Sequence, residues 1–286
     1  MKVRSDLMIE HELLENGSLQ TDNVTGAKGE MSGVSVREEW NTTQTVKITS
    51  VQITSEEAAK RMERPLGNYI TLEIPLLKEE RESVAGEVVE SLTKQLKLLL
   101  SGRKAEHMLV IGLGNREVTA DAIGPLTVEN LMVTRHLLEQ YPEVVDKYRV
   151  VSALVPGVMA QTGMETMEII HGIVREIKPD IVLVIDALAA RSATRLNTTI
   201  QLTDTGICPG AGVGNNRREL SETSLGIPVF AVGVPTVLDA AAIAREEVAE
   251  EIRELFVTAR TIDSAVYYIS EILADGINRV NGRKEQ

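Results

Sequence analysis

Two aspartates in this sequence follow apolar runs of the kind that leads into a binding or catalytic site. Residues 181–185 are five consecutive aliphatics and predict a strand buried on both faces, which ends at Asp186. Asp121 lies past a second apolar run, 107–112, which predicts another buried strand. In open α/β sheets, ligands bind outside the carboxyl ends of the strands, so both aspartates are candidate site residues.

The chemistry of Asp121 and Asp186 depends on whether their strands are neighbours. Two carboxylates at one sheet edge cannot both ionise cheaply, so they tend to share one proton and supply an acid and a base. Such a pair can activate water against an amide. Two other interpretations stay open, since an aspartate after a strand often caps a turn, and an acidic pair can bind a divalent metal ion.

Other catalytic and binding motifs are weak or incomplete. The glycines at 112 and 114 suggest a dinucleotide loop, but Glu117 occupies the position of its third glycine. The glycine cluster 210–214 lacks the Gly-Lys-Ser/Thr ending of a phosphate-binding loop. The four histidines have no zinc-ligand spacing, no Gly-x-Ser-x-Gly occurs, and no histidine adjoins Cys208. The aspartate pair therefore remains the leading candidate.

Composition limits the function classes. The 286 residues carry a formal net charge of −12, and no cluster of Lys and Arg stands out, which argues against direct nucleic-acid binding. A single cysteine excludes an internal disulfide and fits a reducing compartment. The sequence shows neither an apolar run near the length of a membrane span nor a signal-peptide pattern. We therefore expect a cytoplasmic protein without membrane contact.

The elements that must position the aspartates predict an α/β fold. Strand and helix patterns alternate along the middle of the chain, which predicts a mostly parallel twisted sheet with helices on both faces. Residues 1–33 predict an irregular N-terminal arm, and strands near 34–36 and 46–53 make this end of the chain β-rich. We further predict a helix over 125–140, a strand over 229–232 with a helical region from Thr236, and a helical C-terminus.

Several motifs resemble one known family, in the same order along residues 33–245. They are VIGLGN at 110–115, TADAIGP at 119–125, TRH at 134–136, VPGVM at 155–159, IDALAARS at 185–192, GVGN at 212–215 and GVPT at 233–236. They resemble the germination protease of spore-forming bacteria. The resemblance implies an atypical aspartic endopeptidase that degrades small acid-soluble spore proteins when germination begins. It also implies a fold similar to hydrogenase-maturation endopeptidases, a homotetramer, and a location in the cytoplasm of the forespore or spore core.

The resemblance also implies roles for particular residues. The family's two proposed catalytic aspartates fall on Asp121 and Asp186, and no cofactor or metal ion is expected. Family members are zymogens, and the junction for self-cleavage falls between Asp6 and Leu7, after a propeptide shorter than usual. A long insert near Glu254 is nearly lacking here. Residues 34–286 would then form a single α/β protease domain.

Backbone N–H groups in the loops at Asn115, Gly212 and Gly214 are candidates to stabilise an oxyanion. Two alternatives to an aspartate dyad remain, namely a metal-dependent peptidase related to the hydrogenase-maturation proteases and a non-catalytic α/β binding module.

Overall fold

The computed structural model describes residues 5–11, 32–137, 140–141, 147–210, 218–240, 243, 252 and 255–282. The strands are β1 (Val34–Trp40), β2 (Lys47–Ile53), β3 (Gly67–Glu73), β4 (His107–Gly112), β5 (Val150–Leu154), β6 (Ile181–Ala190), β7 (Thr199–Thr203), β8 (Val229–Asp239) and β9 (Phe256–Val257). The α-helices are α1 (Glu56–Met62), α2 (Arg81–Leu99), α3 (Ile123–Glu129), α4 (Met159–Thr162), α5 (Thr166–Ile177), α6 (Glu222–Leu225) and α7 (Ile262–Asn281). No helix in these ranges is both long and apolar enough to cross a membrane.

The nine strands found in the described residues form one mixed sheet. Their order is β1-β2-β3-β7-β8-β6-β4-β5, and β9 pairs with β8. Strands β8, β6, β4 and β5 are parallel, whereas β1, β2, β3 and β7 pair antiparallel and join β8 in the same way. The predicted α/β class is therefore confirmed, but the sheet is mixed rather than mostly parallel, since its parallel pairings are confined to one half. The β-rich N-terminal end adds the antiparallel half, because the short link between β1 and β2 allows only an antiparallel hairpin.

Helices cover both faces of the parallel half, as the sequence predicts. Met108 and Val110 of β4 point to the face covered by α2, α3 and α7. Leu109 and Ile111, which alternate with them, point to the opposite face, where α5 packs. A strand buried on both faces needs apolar residues at every position, which explains the unbroken aliphatic runs in β4 and β6.

The helix predicted over 125–140 is shorter in the structure. Helix α3 ends at Glu129 because the residues after it bond to other elements: the Met132 N–H donates to Asn278 Oδ1 at 2.9 Å. Thr134 mimics a strand neighbour of β5, since its N–H donates to Val151 O and its hydroxyl accepts from Val151 N. These tertiary contacts outweigh helix propensity. Residues 138–139 and 142–146 lie outside the described part of the chain.

The helical region predicted from Thr236 is wrong for its first residues, because β8 continues through Thr236 to Asp239. The register between β6 and β8 shifts there, so that Leu188 faces Pro235 while Ala189 faces Val237. Thr236 is thus the extra residue of a β-bulge. Proline cannot donate to a strand ladder and is tolerated at a bulge, which is why a Pro-Thr pair does not end this strand. The C-terminal helix is confirmed as α7.

Candidate active site

Asp186 lies within β6 rather than at its end, which corrects the expectation from the sequence. Strand β6 continues to Ala190 because β8 pairs with it along this whole stretch. Its other neighbour, β4, pairs only as far as Ile185. Asp186 is therefore the first residue of β6 beyond β4, and it is buried, with Oδ1 accepting from the Ala187 N–H at 2.9 Å. Asp186 therefore lies at a cleft where β4 no longer pairs with β6, while β6 itself continues as a strand beside β8.

Asp121 ends a short 3-10 turn, Thr119–Asp121, in the connection between β4 and α3. Its Oδ2 accepts from the Asn115 N–H at 2.8 Å, and its own N–H donates to Val118 O at 2.7 Å. The hydroxyl of the buried Thr236, in β8, donates to Ala120 O at 2.6 Å. The turn that carries Asp121 is thus fixed both to its own loop and to β8.

The structure brings Asp121 and Asp186 to the same cavity. This cavity has a volume of about 210 Å³, and Gly114, Thr236 and Gly210 also line it. Strands β4 and β6 are neighbours, so the two aspartates that follow their paired segments lie at the same edge of the sheet. Gly212 and Gly214 lie outside the described residues.

Asp6, from the N-terminal segment, lines this same cavity. Its N–H donates to Ala189 O at 3.0 Å, and its Oδ2 accepts from the Ala189 N–H at 2.8 Å. The segment therefore occupies the edge of β6 that opens after β4 ends. The predicted processing junction, between Asp6 and the buried Leu7, lies at the edge that carries Asp186.

Two side chains from the antiparallel half hold the peptide carbonyl of Asp6. Arg64 Nη2 and Gln201 Nε2 each donate to Asp6 O at 3.3 Å. Gln201 also accepts from the Met8 N–H, at 2.5 Å, through its other terminal atom. Both side chains line a second cavity of about 220 Å³ together with Asp186. The sequence motifs did not point to either residue, because neither follows a parallel strand.

Asn115, whose backbone N–H is a predicted oxyanion donor, lies in the loop that carries Asp121. Its backbone N–H donates to Asp121, and its side-chain Oδ1 accepts from the Glu117 N–H at 3.1 Å and from Gln161 Nε2 at 3.0 Å. In this arrangement Asn115 supports a carboxylate and organises the loop that contains it.

Cys208 lines the second cavity but is poorly suited to act as a thiolate. Although the residue is exposed, partial desolvation raises the pKa of its thiol, and the negative charges of Glu219 and Asp6 raise it further. Burial also raises the pKa of Tyr69, whose hydroxyl donates to Pro65 O at 2.9 Å. Within the described ranges, no three His, Cys, Asp or Glu side chains are grouped closely enough to hold a metal ion.

Fold and site together define an α/β protein with a carboxylate-lined cavity at the open edge of its parallel strands. The family model for germination protease matches residues 9–252. A germination protease of Geobacillus sp. (strain WCH70) is 47% identical over 251 residues, which are 86% of this chain and 66% of that protein.

Two further relatives agree. The germination protease of Caldanaerobacter subterraneus subsp. tengcongensis is 47% identical over 84% of this chain and 73% of its own. That of Clostridium perfringens (strain 13 / Type A) is 42% identical over 87% of this chain and 88% of its own. The chain therefore belongs to the germination protease family, whose members are peptidases.

Among solved structures, the chain matches a NiFe hydrogenase maturation protease, HycI, from Thermococcus kodakarensis KOD1. The match has a TM-score of 0.35 and 17% identity, and it covers 64% of this chain and 98% of that one.

Proposed function

We propose that this chain is an aspartic-type endopeptidase in which Asp121 and Asp186 activate water against a peptide bond. The observation that carries the proposal is that both carboxylates line one cavity, which Asp6 of the predicted processing junction also lines. Family membership supports the protease activity. It also supports small acid-soluble spore proteins as substrates at germination, and a place in the forespore or spore core.

The reaction needs one base and one acid from the pair. One carboxylate accepts a proton from water while the water oxygen forms a bond to the peptide carbonyl carbon. The proton held by the pair passes to the peptide nitrogen as its bond to carbon breaks. Two carboxylates that share a proton supply both steps, so the pair titrates as a unit and neither aspartate has a separate fixed role.

The Asp6 carbonyl indicates where the oxyanion would form. Arg64 and Gln201 donate to this oxygen from the side of the antiparallel strands. As water adds to the carbon, negative charge develops on the same oxygen, and donors already in place stabilise it. We assign Arg64 and Gln201 this role, and Asn115 the role of positioning Asp121.

The N-terminal segment would be the first substrate. Residues 5–10 lie in the site as a bound peptide would, with Asp6 in hydrogen bonds to Ala189 on the open edge of β6. Cleavage between Asp6 and Leu7 would release the residues before Leu7, which makes residues 1–33 an arm with a short propeptide. Residues 34–286 would act as the protease domain.

Single Asp121→Asn and Asp186→Asn variants test the proposal. Each keeps the shape of the side chain but loses the ability to exchange a proton, so cleavage of a small acid-soluble spore protein should fall at least about 1000-fold. Asp263→Asn, an exposed aspartate of α7, is the matched control and should retain full activity. Activity of either site variant near the control level would remove that aspartate from the mechanism.

Two further measurements complete the test. Activity should be unchanged in a chelator. If the chelator abolished activity and one divalent ion restored it, the metal-dependent alternative would be favoured.

We also propose a homotetramer. Light scattering after size exclusion should then give about four times the 31.3 kDa of one chain, and a mass of one chain would contradict it.

A further inference from the structure

A large open groove lies beside the candidate active site. It has a volume of about 1070 Å³ and is lined by Met167 of α5, Glu222 of α6, and Pro65 and Leu66 in the link between α1 and β3. The apolar parts of this lining suit the aliphatic stems of long side chains, whose polar ends can then reach the charged residues around them. The proposed reaction makes no use of this groove.

The groove continues into the cavities of the candidate active site. Pro65, Thr205 and Glu219 line both the groove and the cavity of about 220 Å³ that contains Asp186. Asp6 lines that cavity and also the one that holds both aspartates. The three cavities therefore adjoin one another in a row, with the groove at one end and the aspartate pair at the other.

The N-terminal segment shows on which side of the cleaved bond the groove lies. Arg64 Nη2 donates to two successive carbonyls, Ser5 O at 3.2 Å and Asp6 O at 3.3 Å. Arg64 directly precedes Pro65, which belongs to the wall shared with the groove. A peptide held at these two carbonyls can therefore enter the groove with the residues that precede them, since four extended residues span about 13 Å.

Acidic side chains dominate the wall and the groove. Glu63 lines the 220 Å³ cavity and Glu219 lines both spaces, and within the described part of the chain neither carboxylate has a hydrogen bond or an ion pair. Of the two arginines that line the groove, Arg103 already lies 3.8 Å from Glu222. The groove holds four carboxylates against two guanidinium groups, from Glu168, Asp204, Glu219, Glu222, Arg103 and Arg218. Its net negative charge favours basic ligands.

We propose that the groove binds the part of a protein substrate that precedes the cleaved bond, and that Glu63 and Glu219 select basic side chains there. This inference rests on the proposed function. The chain's own sequence has the matching charge, since the residues ahead of Ser5 include Lys2 and Arg4.

Two acetylated peptides with the sequence of residues 1–16 test the inference, one unchanged and one carrying Lys2→Gln and Arg4→Gln. With the full chain as enzyme, kcat/KM for the basic peptide should be about fivefold or more above that for the neutral peptide at low ionic strength. The ratio should shrink in about 0.5 M salt, which screens exposed charges. Both peptides compete with the same N-terminal segment of the enzyme, so the ratio does not depend on how far that segment fills the site.

Variants of the enzyme assign the preference to the groove. Glu63→Gln with Glu219→Gln should reduce the ratio to below about twofold, and Glu63→Lys with Glu219→Lys should reverse it. Glu176→Gln removes an exposed glutamate of α5 that lines none of the three cavities, so this control should keep the full ratio. A variant that folds poorly lowers both rates together and leaves their ratio interpretable.

Binding separates this inference from the proposed function. With Asp186→Asn added to block chemistry, fluorescence anisotropy should show the same preference in Kd for the basic peptide, and the same loss with Glu63→Gln and Glu219→Gln. A preference in binding that depends on these glutamates, without cleavage by the unchanged enzyme, would leave the groove standing and overturn the proposed function. Cleavage with equal rates for the two peptides, a preference that the double variant keeps, or no binding of either peptide would overturn the role of the groove.

Discussion

At the scale of single residues, Gly114 packs closely against Asp121 in the site. Gly114 has a φ of +111°, and a Cβ built on it would lie 2.0 Å from Asp121 O and 2.9 Å from Asp121 Oδ1. Only glycine fits both the conformation and the space. The glycine that suggests a nucleotide loop in the sequence instead allows the aspartate turn to pack against the end of β4.

Gly114→Ala should therefore displace Asp121 and lower kcat/KM by about 100-fold or more, because small displacements of a catalytic group greatly reduce the reaction rate. Gly163→Ala is the matched control, since Gly163 also has a positive φ, +71°, but a Cβ added to it would meet no atom of the described residues within 4 Å beyond its chain neighbours. The control should lose about 1 kcal/mol of stability by chemical denaturation and keep its activity. Equal activity of the two variants would show that the close packing does not position Asp121.

Gln201 offers a second test at this scale, because its two terminal atoms have different partners. Gln201→Glu keeps an acceptor for the Met8 N–H and removes the donor to Asp6 O. If that donor stabilises the oxyanion, kcat should fall by about 100-fold while KM changes less. Thr203→Val, on the same strand and lining the same cavity, is the control: it loses hydrogen bonds to Thr205 but leaves Gln201 in place, so its kcat and KM should be unchanged. A rise in KM with kcat unchanged would assign Gln201 to binding alone.

At the scale of elements, the bulge in β8 holds the turn that carries Asp121. The Thr236 hydroxyl donates to Ala120 O, and the Thr258 hydroxyl donates to Thr236 O at 2.7 Å. Bulges often re-aim a side chain beside an active site, and this one directs a hydroxyl toward the aspartate turn.

Thr236→Val should cost about 1–3 kcal/mol in the free energy of unfolding, because it leaves a carbonyl without its donor, and it should also lower activity by loosening the turn. Thr258→Val removes a hydrogen bond to the same strand without touching Ala120, so it should lose less stability and no activity. Urea denaturation and peptide cleavage measured on both variants check this. A fall in activity for Thr258→Val as large as that for Thr236→Val would contradict a specific link to the turn.

The sequence predicts those elements whose structure follows from their local composition. The aliphatic runs of β4 and β6 are buried on both faces, so composition alone identifies them, and the placement of Asp121 and Asp186 follows from the parallel order. The end of β6 could not be predicted, because it depends on pairing with β8 far along the chain. The bulge at Thr236 could not be predicted either, because it is a shift in the register between β6 and β8, which are far apart in the sequence.

The donors to the Asp6 carbonyl were beyond prediction for a similar reason. Arg64 precedes β3 and Gln201 lies in β7, and neither stands in a motif. They reach the site only because the antiparallel half of the sheet continues from β8. A site built across both halves of a mixed sheet cannot be recognised from the strand-helix repeats of one half.

At the scale of the whole molecule, the two halves of the sheet contribute different chemistry. The parallel half supplies the carboxylates, and the antiparallel half supplies the donors Arg64 and Gln201. The N-terminal segment 5–11 lies against both, with Met8 packed among residues of β1 and β2 and with Leu7 packed near the end of β6. Asp6 lines both cavities, so its release by cleavage before Leu7 would open both at once, while Leu7 and Met8 would stay attached to the chain.

Stability of the whole sheet should depend on pH through His107, at the start of β4. Burial lowers the pKa of its imidazole, the positive charge of Arg135 lowers it further, and Asp180 opposes this. The folded protein therefore resists protonation of His107, whereas the unfolded chain takes up a proton near pH 6.5, at about the ordinary value for histidine. Stability from this group is fully present above that pH and is lost as the pH falls below it.

His107→Gln can retain a hydrogen bond to the Ser152 hydroxyl, which lies 3.2 Å from His107 Nε2, but it cannot titrate. Urea denaturation at about pH 7.5 and about pH 5.5 should therefore show a smaller acid-induced loss of stability in the variant than in the unchanged protein. His171→Gln, on the helix α5, is the control and should keep the full loss, because it leaves His107 in place. An equal loss in all three proteins would mean that other groups, and not this buried imidazole, make the fold sensitive to acid.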